Sequence, residues 1–212
     1  MEVLSFPGIL YDNILATSWL EFVAVFFGLL SVWYARKENI LVYPTGIINV
    51  LIYVYICFKV GLYADMGINA FYFVMSIYGW VKWSMKMEDK HVRPISYATR
   101  KEWVISIAGT ILSFIVLYFI LKNYTDSTVP FWDALTTAIF IIGMWLMAFK
   151  KIENWLFWIA GDLACIPLFA SKGLILTSFQ YAVFLGLAIA GYIAWSSKFK
   201  MQSSKLSSEF KD

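Results

Sequence analysis

The sequence predicts an all-α polytopic membrane protein with seven transmembrane helices. Three observations carry that expectation. Hydrophobic residues make up 61% of the 212 residues and charged ones only 15%, whereas a soluble domain is about half apolar and about a quarter charged. The apolar residues are gathered into long runs, and a helix needs about 20 such residues to cross roughly 30 Å of hydrocarbon. The runs are continuous rather than alternating, which argues against a β-barrel as the spanning form.

The seven runs cover residues 19–35, 40–60, 67–85, 103–121, 132–149, 154–171 and 175–196. The first is followed by Arg36-Lys37-Glu38-Asn39, a connection so short that it forces an antiparallel hairpin with the second. The second contains Pro44 and the intramembrane amide Asn49, and the third carries Asn69 and Tyr72. The polar, basic stretch 86–102 is the longest internal loop and precedes the fourth run. The fifth opens near Asp133, as the first opens near Glu21, and both acids suit the outer end of a helix. The sixth contains Asp162 and Pro167, and Ser171-Lys172-Gly173 joins it tightly to the seventh, which carries Gln180-Tyr181. Residues 1–196 read as one transmembrane domain and the Lys/Ser-rich 197–212 as a flexible cytoplasmic tail.

Basic residues are distributed unevenly over the connections. With seven spans, one side carries Lys59, Lys122 and Lys172, and the other carries the remaining fourteen of 17 Lys and Arg. The positive-inside rule places the richer side in the cytoplasm, with the N-terminus outside and the C-terminus inside.

The chain also matches itself at an offset of 112 residues. Glu21 meets Asp133, Trp33 meets Trp145, Gly61-Leu62 meets Gly173-Leu174, Gly79 meets Gly191 and Trp83 meets Trp195. The pattern predicts two copies of a three-helix unit, about 19–85 and 132–196, with the run 103–121 as a linker helix. A single linking span gives both copies the same orientation, an arrangement that places a transporter's solute site between the halves near the midplane.

Several function classes lose support. A net charge of +3 without a basic aromatic stripe does not suggest nucleic acid. Cys57 and Cys165 lie in apolar runs without metal-ligand spacing, and His91, the single histidine, stands in a polar loop, so they read as packing and loop residues. No phosphate-cradling loop or nucleophile–base pair is visible, so the chain reads as a non-enzyme without cofactor. The N-terminus has no basic residue ahead of its apolar stretch, unlike a signal peptide.

Asp162 is the most informative residue. It is the sole carboxylate in the run 154–171, and an ionisable group inside a span ordinarily faces a cavity and a partner. No Lys or Arg is expected at its depth, which leaves hydrogen bonds, a proton or a cationic solute. Trp158 lies one turn away on the same face and offers a ring for cation–π contact, and Asn154 continues that face a further turn back. Asn49, Asn69, Tyr72, Gln180 and Tyr181 can supply amide, hydroxyl and aromatic contacts to the same site, or interhelical hydrogen bonds.

Particular motifs carry a resemblance. Ser18-Trp19-x-Glu21, Gly28-Leu29-Leu30, Gly46-Ile47-Ile48-Asn49-Val50, Leu62-Tyr63-Ala64 and Tyr78-Gly79-Trp80-x-x-Trp83 in the first half resemble the PnuC family of bacterial vitamin transporters. Pro130-Phe131-Trp132-Asp133 and Glu153-Asn154-Trp155-Leu156-x-Trp158 continue it in the second. The resemblance implies a SWEET-like three-plus-one-plus-three fold, a homotrimer in the bacterial inner membrane, and facilitated diffusion made one-way by a cytoplasmic vitamin kinase. It also exposes a departure. The family's nicotinamide riboside carriers have Trp-x-x-x-Asn on the sixth span, where this chain has Trp158-Ile-Ala-Gly-Asp162. A carboxylate suits the pyridinium of nicotinamide riboside and pairs especially well with the aminopyrimidine edge of thiamine, so both remain candidate solutes. A membrane receptor without transport is the reading from another class.

Overall fold

The computed structural model describes residues 19–60, 63–85, 93–125, 127–172 and 175–209. Seven helices account for nearly all of them: α1 Trp19–Arg36, α2 Val42–Val60, α3 Tyr63–Ser84, α4 Arg100–Tyr124, α5 Pro130–Ala148, α6 Asn154–Ser171 and α7 Ile175–Glu209. Six of these, all but α3, are long and apolar enough to cross a membrane. Helix α3 has the length, 22 residues, but Asp65, Asn69, Ser76 and Lys82 thin out its apolar content.

Helix starts follow local chemistry. Helix α4 opens on a capping box, with the Glu102 amide donating to Thr99 Oγ1 at 3.3 Å and the Thr99 amide to Glu102 Oε2 at 2.7 Å. Helix α5 opens with Pro130 at its first position and Asp133 in its first turn, both suited to free amides and a positive helix end. The α1–α2 and α5–α6 connections turn through two non-glycine residues of positive φ, Glu38 at 56° and Lys150 at 52°. They share one hydrogen-bond scheme: Glu38 N to Ala35 O and Lys150 N to Met147 O are both 2.9 Å, and Val42 N to Asn39 O and Asn154 N to Lys151 O are both 3.1 Å.

Packing makes a ring. Helices α1, α2 and α3 pack in succession, as do α5, α6 and α7, and the two series join through α3 against α5 and α1 against α7. Helix α4 packs outside this ring, on α5, and exposes the apolar Val104, Ile107, Leu112 and Ile115.

The densest core lies where α1, α3 and α5 end and α2 and α6 begin. It gathers Ala35, Tyr43, Trp83, Met147, Ile152, Trp155 and Trp195. Its hydrogen bonds are reciprocal. The Trp83 indole donates to Met147 O at 3.1 Å, and Trp195 donates to Ala35 O, also at 3.1 Å. Donors and acceptors are each 112 positions apart, the offset read in the sequence. Gly79 packs on the Tyr43 ring, and Gly191 packs on the ring of Trp155 at the equivalent position. Segment 95–98 is clipped onto the α5–α6 turn: Ile152 N donates to Ser96 O at 3.0 Å and Ala98 N to Glu153 Oε2 at 2.8 Å.

Residues 197–209 continue α7 as helix. At its start Lys198 pairs with Glu38 and the Phe199 ring meets Tyr97 edge-on at 5.0 Å; within the helix Ser203 Oγ donates to Phe199 O at 3.0 Å. The Gly61-Leu62 and Gly173-Leu174 match, His91 and the segment before Trp19 lie outside the described residues.

The close approach at Gly191 is testable. A Cβ there would lie 2.5 Å from the Trp155 ring, whereas one at Gly186 meets nothing within 4 Å. Gly191→Val is expected to destabilise the detergent-solubilised protein by about 1–3 kcal/mol through overpacking. Gly186→Ala should leave the thermal midpoint level or slightly higher. A differential melt of the two variants reads the contrast.

Candidate functional site

Asp162 lies near the middle of α6, eight residues after its first residue Asn154, or about 12 Å along the axis. It is 3% exposed. Among the described residues no side-chain cation and no hydrogen-bond donor meets its carboxylate. Carboxylates are seldom buried this deeply without a partner.

The surroundings come from both halves of the ring. Tyr181 on α7 has Asp162 and Cys165 of α6, Tyr72 of α3 and Tyr53 of α2 within electrostatic range. Thr136 of α5 and Tyr181 both approach Cys165. An aromatic ladder runs alongside. Phe140 of α5 stacks on Trp158 with centroids 5.3 Å apart and planes 27° apart, and on Tyr181 at 6.2 Å and 5°. Tyr181 stacks in turn on Phe169 at 5.1 Å and 13°. Gly161 lets this ladder form, because Phe140 occupies the space a Cβ at 161 would need. Gly143 is less tight: where its Cβ would stand, Phe157 Cβ lies at 3.3 Å and the Trp158 indole at 3.4 Å, close to ordinary contact.

The sequence-derived residues therefore separate into groups. Trp158, Asp162, Tyr72 and Tyr181 come together in the ring interior. Asn49 is half-buried on α2 and donates to Ala24 O at 2.7 Å, bridging α1 and α2 beside Gly28. Asn69 donates to Asp65 O at 2.9 Å within its own helix. Gln180 precedes Tyr181 on α7 and is half-buried. Asn154 is fully buried, and its Nδ2 donates to Lys151 O at 2.5 Å in the α5–α6 turn. Pro44 falls in the first turn of α2, where a missing amide costs nothing, whereas Pro167 is inside α6 and leaves the Leu163 carbonyl without its intrahelical donor.

Sequence reasoning missed Phe140 and Phe169. Each is one more aromatic in an apolar run, and only Gly161 at the 112-residue partner of Asn49 hints that something large packs there. At the far end of the second half, Asp133 binds Lys172 Nζ and Ser127 Oγ, each at 2.7 Å.

This arrangement suits binding rather than covalent chemistry. A carboxylate, three phenol hydroxyls and stacked rings inside a helical ring can hold a small organic cation; no group of His, Cys, Asp and Glu among the described residues could hold a metal ion.

Comparison with known proteins places this geometry in a family. The nicotinamide riboside transporter PnuC of Escherichia coli is 28% identical, over 89% of each chain. The riboflavin/roseoflavin transporter RibM of Streptomyces davaonensis is 24% identical, over 84% of each. The crystal structure of the vitamin B3 transporter PnuC superposes with a TM-score of 0.70 at 25% identity, covering 91% of this chain and 89% of that one. The profile of the nicotinamide mononucleotide transporter family matches residues 18–197, and the chain belongs to that family of multi-pass membrane transporters.

Proposed function

We propose that this protein carries a cationic vitamin across the bacterial inner membrane, with nicotinamide riboside as its solute. The observation that carries this reading is the unpartnered carboxylate of Asp162 amid Tyr72, Tyr181 and the Trp158–Phe140 stack. A pyridinium gains charge attraction from Asp162 in a medium of low dielectric, and its ring gains stacking from the aromatic wall. The ribose hydroxyls have the phenols as hydrogen-bond partners. A mononucleotide fits less well, since its phosphate would meet a carboxylate instead of a basic residue. Relatives at similar identity are named for nicotinamide riboside and for riboflavin, so within this family the lining of the site has to decide the vitamin.

Thiamine is the second reading, on one specific ground. At Asp162 the riboside carriers resembled by this chain have an amide, and a carboxylate pairs better with an aminopyrimidine edge.

The finer architecture belongs to the same proposal. Helix α3 is taken as the seventh span, with α1–α3 and α5–α7 as parallel repeats about α4. The closed six-helix ring and the reciprocal indole hydrogen bonds support this. The N-terminus is external and the C-terminus cytoplasmic, on the charge asymmetry of the connections. Assembly as a homotrimer, energy-independent flux and trapping by a cytoplasmic vitamin kinase follow from the resemblance.

Three experiments test the reading. For topology, a reporter active only outside the cytoplasm is expected to work when fused at the N-terminus and to stay silent after Lys211; the reverse pattern overturns the orientation. For the aromatic wall, Trp158→Ala should weaken calorimetric binding of nicotinamide riboside by about 1–2 kcal/mol, with Trp158→Phe closer to the parent. Unchanged affinity in the alanine variant would make Trp158 a packing residue. For the solute, Asp162→Asn keeps shape and removes charge. If nicotinamide riboside is the solute, proteoliposomes of both proteins should accumulate it to equilibrium without an energy source, while thiamine binds weakly to the parent and more weakly to the variant. Tight thiamine binding that collapses in the variant would establish thiamine instead. A protein that binds a vitamin but moves none would be a receptor.

A further inference from the structure

We propose that Glu38, Lys150 and the Trp83–Trp195 pair form a gate across the basic end of the bundle, one that must part before a solute at Asp162 can leave on that side. The proposal rests on the transport reading above, but its evidence lies elsewhere in the molecule.

Every contact in this set crosses from one three-helix series to the other. Lys150 Nζ binds Glu38 Oε1 at 2.7 Å, with side chains only 3% and 11% exposed, and Lys198 takes the second Glu38 oxygen. The Lys150 ammonium also stands 4.6 Å from the centroid of the Trp83 ring. Glu38 and Lys150 are 112 positions apart, and each occupies the positive-φ corner of its turn, so the two turns present opposite charges to each other. Trp83 and Trp195 lie 6.1 Å apart, each bonded to a carbonyl of the opposite series. Tyr43 backs Trp83 at 5.2 Å and Trp155 backs Trp195 at 5.6 Å. All four rings are at most 3% exposed. They fill the space between the series, and no vitamin-sized solute passes them.

The same plug is built to open. Its polar cross-connections are few and discrete: two indole hydrogen bonds, one carboxylate shared by two lysines and one ammonium over the Trp83 ring. Its closed packing also leaves Tyr43 Oη, Trp155 Nε1 and Asn154 Oδ1 buried without a hydrogen-bond partner. Such orphans raise the energy of the closed state, and water entering a parted plug would satisfy them. The Asp133–Lys172 pair differs in kind, since it ties α5 to the α6–α7 connection within one series.

A permanent brace would have the same contacts, so the test must separate bracing from gating. Cysteines are introduced as Glu38→Cys with Lys150→Cys, and the double variant is reconstituted in liposomes with labelled nicotinamide riboside and thiamine. Bridging the pair with a short bis-thiosulfonate linker should abolish uptake, reductant should restore it, and neither single variant should respond. Uptake at the unlinked rate after bridging overturns the gate while leaving the transport reading intact; a parent protein that moves neither vitamin counts against the transport reading instead. Should the double variant be inactive before bridging, Glu38→Gln decides. A membrane-impermeant maleimide applied at each face in turn should alkylate Cys165 about tenfold faster from the basic face than in the parent, equivalent to a shift of about 1.4 kcal/mol in the gate equilibrium. Peptide mass spectrometry separates this from Cys57. Equal rates in parent and variant overturn the gate.

Discussion

Two indole hydrogen bonds, Trp83 to Met147 O and Trp195 to Ala35 O, hold the helical ring closed at one end. Each carbonyl lies at the C-terminal end of a helix and accepts the backbone amide of its own turn, Lys150 N for Met147 and Glu38 N for Ala35, each at 2.9 Å. The indole takes the second lone pair of that oxygen, so the carbonyl that closes the turn also ties its helix to the opposite series. One indole supplies the donor and at the same time fills the space between two helices. The contacts of α3 with α5 and of α1 with α7, which convert two three-helix series into a ring, are secured there.

With the ring closed, the interior site follows. Helix α6 is flanked by α5 and α7, so its inward face can carry a carboxylate that lipid would not tolerate. Glycines decide how closely the neighbours approach. Gly161 admits Phe140 to a stack with Trp158, beside Gly143, whereas at the corresponding places of the first series Gly28 meets Asn49 and Gly46 meets Ser31. The two series have the same backbone plan with large and small residues exchanged. This exchange makes the interior chemically lopsided, with rings and a carboxylate on one side and amide and hydroxyl groups on the other.

The two ends of the ring do different work. The basic end carries a buried ion pair, and burial of both charges is tolerated because Glu38 is met by two ammonium groups while Lys150 also has an indole face. The opposite end has an ion pair that stays within one series, between Asp133 and Lys172.

Much of this was legible in the sequence because lipid imposes simple rules. Continuous apolar runs must become helices, and six of the seven have the length and apolarity to span. A lone carboxylate in such a run had to be buried in the bundle, and Asp162 is. The 112-residue offset was visible because Gly79 and Gly191, and Trp83 and Trp195, occupy positions that side-chain packing constrains tightly. Other features depended on how helices meet. Asn154 shares a helical face with Asp162, and from the start of α6 it donates to the Lys151 carbonyl of the preceding turn. Lys198 and Phe199, where α7 runs on past its apolar run, meet Glu38 and Tyr97, partners more than a hundred positions away. Phe140 became part of the site only because Gly161 on a neighbouring helix leaves it room. Sequence determined which residues had to leave water and which could not face lipid, since those are properties of single segments. Tertiary structure alone decided which buried groups meet, because helix rotation and approach are set jointly by residues far apart in the chain.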